Sequence, residues 1–183
     1  MTAIFAARQR KRPRAGRYDE PQGTTLLHVV LVEPEIPWNA GNAGRTCLAA
    51  GARLHLVRPL GFSLAERRVR RAGLDYWEHV EPVVHDSFAA FEALLPRLGT
   101  PLFLSVEGER TLFETDIPAD AVFIFGGEGK GLPPAVRARY RDRLVRLPLV
   151  DPRVRSLNVS TAVGIVLYEA LRRQRASEPR ASE

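Results

Sequence analysis

The sequence predicts an α/β fold, a mainly parallel sheet with helices on both faces, and three observations carry that prediction. Five short apolar runs, LLHVVLV, RLHLV, PLFLSV, AVFIF and RLVRLPL, are bounded by turn residues, as buried strands are. Segments with the three-and-four apolar spacing of helices fall between and after them. Polar, glycine-rich loops follow several of the strands, and in a parallel sheet covered on both faces ligands bind beyond the strands' carboxyl ends.

The first strand is placed at 26–32. A helix over 39–50 follows, with Asn39 set to cap it after Pro37 and Gly51 to stop it. RLHLV at 53–57 is the second strand. A polar helix is expected over 63–72, an extended piece around 76–80, and a helix over 87–98 with Ser87 as its cap. The remaining strands cover 101–106, 121–125 and 143–149. The last helix has a clear apolar face: Val159, Ala162, Val163, Val166, Leu167, Ala170 and Leu171. Ile165 and Tyr168 form a second apolar strip beside it, more than one core needs.

With 183 residues, 45% of them hydrophobic, the chain can bury one real core. No apolar run approaches the roughly 20 residues that cross a bilayer, and no apolar stretch follows the basic start as a secretion signal would require. A soluble cytoplasmic protein with no membrane partner is expected. Cys47 is the only cysteine, which excludes an internal disulfide and a cysteine-based metal cluster and fits a reducing compartment. His28, His55, His79 and His85 show no metal-ligand spacing and read as core or surface residues, so no metal is expected.

The net charge is +6, and Lys11 and Lys130 are the only lysines among 27 basic residues. That balance favours a polyanionic partner, because neutralised phosphates release counterions. An arginine bias also arises from genome composition alone. Residues 1–25 have no apolar periodicity and read as a flexible basic arm, in which Arg8, Arg10, Lys11 and Arg12 can reach RNA phosphates. A solvated tail and an organelle transit peptide are the competing readings of that arm. Residues 26–175 form the folded domain, and 176–183 a disordered tail.

Three loops concentrate the polar chemistry. In EPEIPWNAGNAGR, Gly41 and Gly44 sit in early helical turns at a cost of about 1 kcal/mol each against alanine, which implies close approach by something. Arg45 follows, and alone it would read as a solvated helix arginine. In FGGEGKGLP, four glycines in six residues flank Glu128 and Lys130. The spacing is not that of a Walker A loop, and no Ser or Thr follows the lysine. The glycines make either a tight turn or a backbone wrapped around a flat ligand. In RLPLVDPRVRSLN and the helix start beyond it, Arg155, Ser156, Asn158 and Ser160 exceed what one helix cap requires.

Taken together, IPWNAGNAGR, FGGEGKGLP, and LPL followed by RSLNVSTAVGIVLYEAL resemble, in order and spacing, the three motifs of the SpoU-type branch of the SPOUT RNA methyltransferases, over residues 26–173. The stretch RPLGFSLAERRVRRAGLDYWEHV looks like the subgroup that methylates the ribose of the tRNA wobble nucleotide. Ala40, Gly127 and Trp77 stand where threonine, proline and histidine are common. The residues alone give an unknotted sheet, whereas the resemblance implies a deep C-terminal trefoil knot whose loops bind S-adenosylmethionine. It further implies that Leu104, Gly126, Leu147, Ser156 and Leu157 line the cofactor pocket. Arg45, Glu128, Ser156 and Asn158 would be the catalytic set, with Glu128 holding Arg45 or its neighbourhood, and Asn39 and Arg45 would meet the RNA. The partners implied are the anticodon stem-loop of tRNA and a second copy of the chain, packed through the last helix.

The implied reaction is displacement of methyl from a sulfonium by a ribose 2′-hydroxyl. Two alternatives stay open: the same reaction on another tRNA or rRNA ribose, and an RNA-binding protein without catalysis. Methylation at cytosine C5 would need a cysteine nucleophile, and Cys47, among Leu48, Ala49 and Ala50, reads as a buried structural thiol.

Overall fold

The protein is described by a computed structural model covering residues 26–64 and 76–177. The N-terminal arm, residues 65–75 and residues 178–183 lie outside the described residues. With them go most of the expected polar helix, the RRVRRAGLD stretch and Arg8, Arg10, Lys11 and Arg12.

Seven strands form one sheet: β1 (His28–Val32), β2 (Arg53–Val57), β3 (Val83–His85), β4 (Thr100–Leu104), β5 (Arg110–Thr111), β6 (Ala121–Phe125) and β7 (Leu144–Arg146). Their order is β3-β2-β1-β6-β4-β7-β5, and every neighbouring pair is parallel. HVVLV and AVFIF lie at the centre and are buried throughout, as strands covered on both faces must be. One face, with Val29, Leu31 and Phe123, packs against α1 (Pro37–Ala50) and against the last helix, α6 (Val159–Ser177), through Ala43, Cys47, Val163 and Leu167. The other, with Val30, Val32 and Ile124, packs against Phe91, Leu95 and Val136. No helix among the described residues is long and apolar enough to cross a membrane.

Several elements depart from the sequence expectations. Residues 76–80 are not extended: Trp77–Val80 is a short helix, α2, burying Trp77 and Val80 and exposing Glu78 and His79, which is a helical spacing. The strand of this region comes later, as β3. The helix over 87–98 breaks into α3 (Phe88–Glu92) and α4 (Leu95–Leu98), because Pro96 has no N–H to give the Glu92 carbonyl. Ser87 caps the first piece as expected, its Oγ accepting from the Ala90 N–H at 3.1 Å. Gly51 ends α1 at φ 66°, also as expected. Asn39 does not cap α1: Pro37 already occupies the first turn, so the helix begins two residues earlier, with Ile36 at its N-cap. The short α5 (Pro134–Arg139) and β5 carry too little periodicity to be read in advance.

Three of the four histidines join across the sheet. His28 Nδ1 lies 3.0 Å from His55 Nε2, and His55 Nδ1 lies 2.9 Å from His85 Nε2, in a buried row over β1, β2 and β3 with Phe91 against the last two rings. Burial holds His28 down at about 4 and His55 at about 2, and it also lowers His85. The row is therefore neutral, each link using one N–H and one bare nitrogen. Below the ordinary histidine value near 6.5, the unfolded chain gains protons that the folded chain refuses, so stability falls as pH falls. Between pH 7 and pH 5 the loss is about 2 kcal/mol for each of His28 and His55. Thermal melting should drop by several degrees over that window, before most carboxylates titrate. A melting temperature flat from pH 7 to pH 5 would contradict the neutral row.

Candidate active site

The loops after β1, β4, β6 and β7 enclose a cavity of about 440 Å³ at the carboxyl ends of the strands. Its walls combine the apolar side chains of Leu104, Leu132, Leu147 and Leu157 with the backbone of the 126–131 glycine loop. Ser156 and Asn158 also line it. A volume within the roughly 300–1,000 Å³ of small-molecule sites, apolar walls and backbone hydrogen-bonding groups suit a flat purine with a polar tail.

The glycines chiefly let this loop fold on itself. Gly127 and Gly131 form an antiparallel bridge, with the Gly131 N–H donating to the Gly127 carbonyl at 2.8 Å. A methyl group on Gly126 would lie 2.0 Å from the Gly131 carbonyl carbon and from the Leu132 nitrogen. One on Gly127 would lie 2.5 Å from the Glu33 carbonyl oxygen. The loop therefore presses on its own return and on the loop after β1, leaving one side of its backbone to the cavity.

Two glutamates cross-link these loops. The Glu35 N–H donates to Glu128 Oε2 at 2.7 Å, and the Gly129 N–H donates to Glu35 Oε1 at 3.2 Å. The second Glu128 oxygen, Oε1, accepts from Asn39 Nδ2 at 2.8 Å. Asn39 Oδ1 in turn accepts from Asn158 Nδ2 at 2.8 Å. Asn158 Oδ1 accepts from the backbone N–H groups of Ser160 and Thr161 and from Ser160 Oγ, which caps α6. The polar surplus at the start of α6 thus has a dual use: one face of the Asn158 amide caps the helix, and the other ties three distant loops together. Asn39, the only buried member at 5% exposure, is the hub.

Arg45 stands apart from this junction's hydrogen bonds. It does not line the cavity, and Glu128 bonds not Arg45 but Asn39, six residues earlier on the same helix, which is the neighbourhood alternative of the expectation. It is exposed, forms no ion pair with the described residues, and lies over the Tyr76 ring at 5.3 Å. Leu104, Gly126, Leu147, Ser156 and Leu157 do come together as cavity walls. Ser156 is exposed there and makes no hydrogen bond to the described residues. Cys47 is 1% exposed and its thiol is pushed up to about 12 by burial, so it is no nucleophile. Among the described residues no group of His, Cys, Asp or Glu could hold a metal ion. Sequence reasoning missed Glu35 and Tyr76, since a lone loop acid and a lone aromatic carry no spacing signal.

Residues 26–168 match the model of the SpoU rRNA methylase family. The chain belongs to that family. Among its SpoU relatives, a Burkholderia pseudomallei (strain 1106a) protein named tRNA (cytidine(34)-2'-O)-methyltransferase is 44% identical over 151 residues, covering 80% of this chain and 95% of the relative. A solved structure described as "Structural insights into the 2-OH methylation of C/U34 on tRNA" is 48% identical, with a TM-score of 0.78 over 84% of this chain and 99% of the other. An AdoMet-bound rRNA methyltransferase from Sinorhizobium meliloti is 26% identical, with a TM-score of 0.72 over 85% of this chain and 59% of the other. The parallel sheet and the loops gathered at its carboxyl edge are thus a SpoU-type architecture.

Proposed function

We propose that the protein transfers a methyl group from S-adenosylmethionine to the ribose 2′-hydroxyl of the wobble nucleotide in a tRNA anticodon loop. The observation that carries this reading is the junction of Asn39, Glu128 and Asn158, one from each of the three motif loops, beside a cavity with apolar and backbone walls. The relative named for cytidine 34 and the structure described for C/U34 support the target; the AdoMet-bound relative supports the donor.

Leu104, Gly126, Leu147, Ser156 and Leu157 would hold the cofactor, which supplies an already activated methyl on a sulfonium. The chain's own task is then positioning and charge. Glu128 is the only carboxylate lining the cavity, and each of its oxygens accepts one hydrogen bond, from the Glu35 N–H and from Asn39 Nδ2, so its orientation is set by the loops it joins. Glu128 and Asn158 act through Asn39, which they hold in one orientation. Arg45 orients the target nucleotide and stabilises the developing alkoxide, since a guanidinium keeps its charge and is a poor base. The proton leaves to the RNA phosphates or to solvent.

The remaining partners follow on the same reading. Arg8, Arg10, Lys11 and Arg12 add phosphate contacts, and the loops around the cavity carry the family's trefoil knot. The exposed strip of Ile165 and Tyr168 on α6 is covered by a second copy. Sedimentation should show a dimer at micromolar concentration, and an active monomer would refute it. The function itself is tested with labelled S-adenosylmethionine and anticodon stem-loop transcripts, without added metal. Label should enter a nuclease-resistant dinucleotide at the wobble position; label in a base would overturn the assignment.

A further inference from the structure

We propose that Tyr76 is the positioning residue for Arg45, holding the guanidinium over its ring. The inference rests on the reading of Arg45 given above. An exposed arginine without an ion pair among the described residues samples many rotamers, and the carboxylate expected to restrain it is committed elsewhere. What lies against Arg45 is an aromatic face, with its Cζ 5.3 Å from the Tyr76 centroid, inside the roughly 6 Å range of cation–π attraction.

The ring is itself held in place. Tyr76 immediately precedes α2, whose Trp77 and Val80 are buried against α1 at Gly44. A methyl group on Gly44 would lie 2.9 Å from Trp77 Cζ3 and 3.0 Å from Val80 Cγ1, so only a bare backbone admits this approach. The helices therefore meet through two consecutive pairs: Gly44 takes Trp77, and Arg45 takes Tyr76. Trp77 stands where the resemblance leads one to expect histidine, and here its indole builds the contact that fixes its neighbour. The glycine judged costly in a helix is explained by this docking. Tyr76 is 46% exposed, and its hydroxyl has no hydrogen-bond partner among the described residues, so the ring is what engages Arg45.

Steady-state kinetics of the full chain on tRNA test the proposal. Tyr76→Leu should lower kcat about three- to fivefold, as expected for losing one exposed cation–π contact. KM for tRNA and affinity for S-adenosylmethionine should stay within about twofold. Tyr76→Phe should restore most of kcat. By NMR, the Arg45 side-chain protons should be shifted upfield by the ring current in the parent and in Tyr76→Phe, and should lose that shift in Tyr76→Leu. A parental kcat in Tyr76→Leu, a defect confined to KM for tRNA, failure of Tyr76→Phe to recover, or absence of the ring-current shift would each overturn it. If Arg45→Ala is inactive while Tyr76→Leu is fully active, this proposal alone fails; an active Arg45→Ala would remove the reading of Arg45 beneath it.

Discussion

Arg45→Ala should leave a folded protein that binds S-adenosylmethionine within about twofold of the parent yet transfers methyl on the order of 100- to 1,000-fold more slowly, the usual cost of removing a donor aimed at a developing oxyanion. The separation of the two effects follows from geometry. Arg45 is not among the cavity walls, whereas Leu104, Leu147 and Leu157 are. Its exposed place on α1, with no hydrogen bond into the Asn39 junction, also predicts a small change in melting temperature. Calorimetric titration with the cofactor and single-turnover transfer read the two quantities separately. Loss of cofactor binding, or transfer at the parental rate, would show that Arg45 has been misassigned.

Gly126→Ala should damage the site through its backbone. An added methyl group would sit 2.0 Å from backbone atoms of Gly131 and Leu132, a distance no rotamer change can relieve. Opening the loop would break the Gly127–Gly131 bridge and displace Gly129 and Glu128 from Glu35. Overpacking of this kind costs about 1–3 kcal/mol or more, and cofactor affinity should fall at least tenfold. Gly164→Ala on α6 is the comparison for the cofactor loop, because no atom of the same chain lies within 4 Å of the methyl group it would add, and it stands one turn before Tyr168 on the strip assigned to a second copy. Alanine there should leave the 126–131 loop and cofactor affinity of the chain intact, whatever its effect on the dimer. Equal behaviour of the two variants in melting and cofactor titration would contradict the packed-loop account.

The parts legible in the sequence are those written in periodicity. The central strands, the apolar face of α6 and the Gly51 stop each rest on a local pattern that tertiary packing reinforces. Residues 76–80 and 87–98 were less legible, because Trp77 and Val80 reveal their helical spacing only once both are known to be buried, and the effect of Pro96 competes with the apolar run around it. At the site, the identities of Asn39, Glu128 and Asn158 could be read but their pairing could not. The link from Asn39 to Asn158 spans 119 residues, and nothing local specifies it. Asn39 shows this most clearly: its type and position fit a helix cap, yet Pro37 moves the helix start and frees the amide to become the hub. Gly44 posed a question that only Trp77, arriving from another loop, could answer.

The central claim, methylation of the wobble ribose, is tested most directly by mapping 2′-O-methylated nucleotides across all RNA from cells with and without the gene for this chain. The account predicts loss of the 2′-O-methyl group at the wobble position of one or a few tRNAs, restored by the parent protein and not by Arg45→Ala, with rRNA riboses unchanged. Wobble riboses methylated equally in both cells, with a ribosomal ribose or a base methylation lost instead, would contradict it.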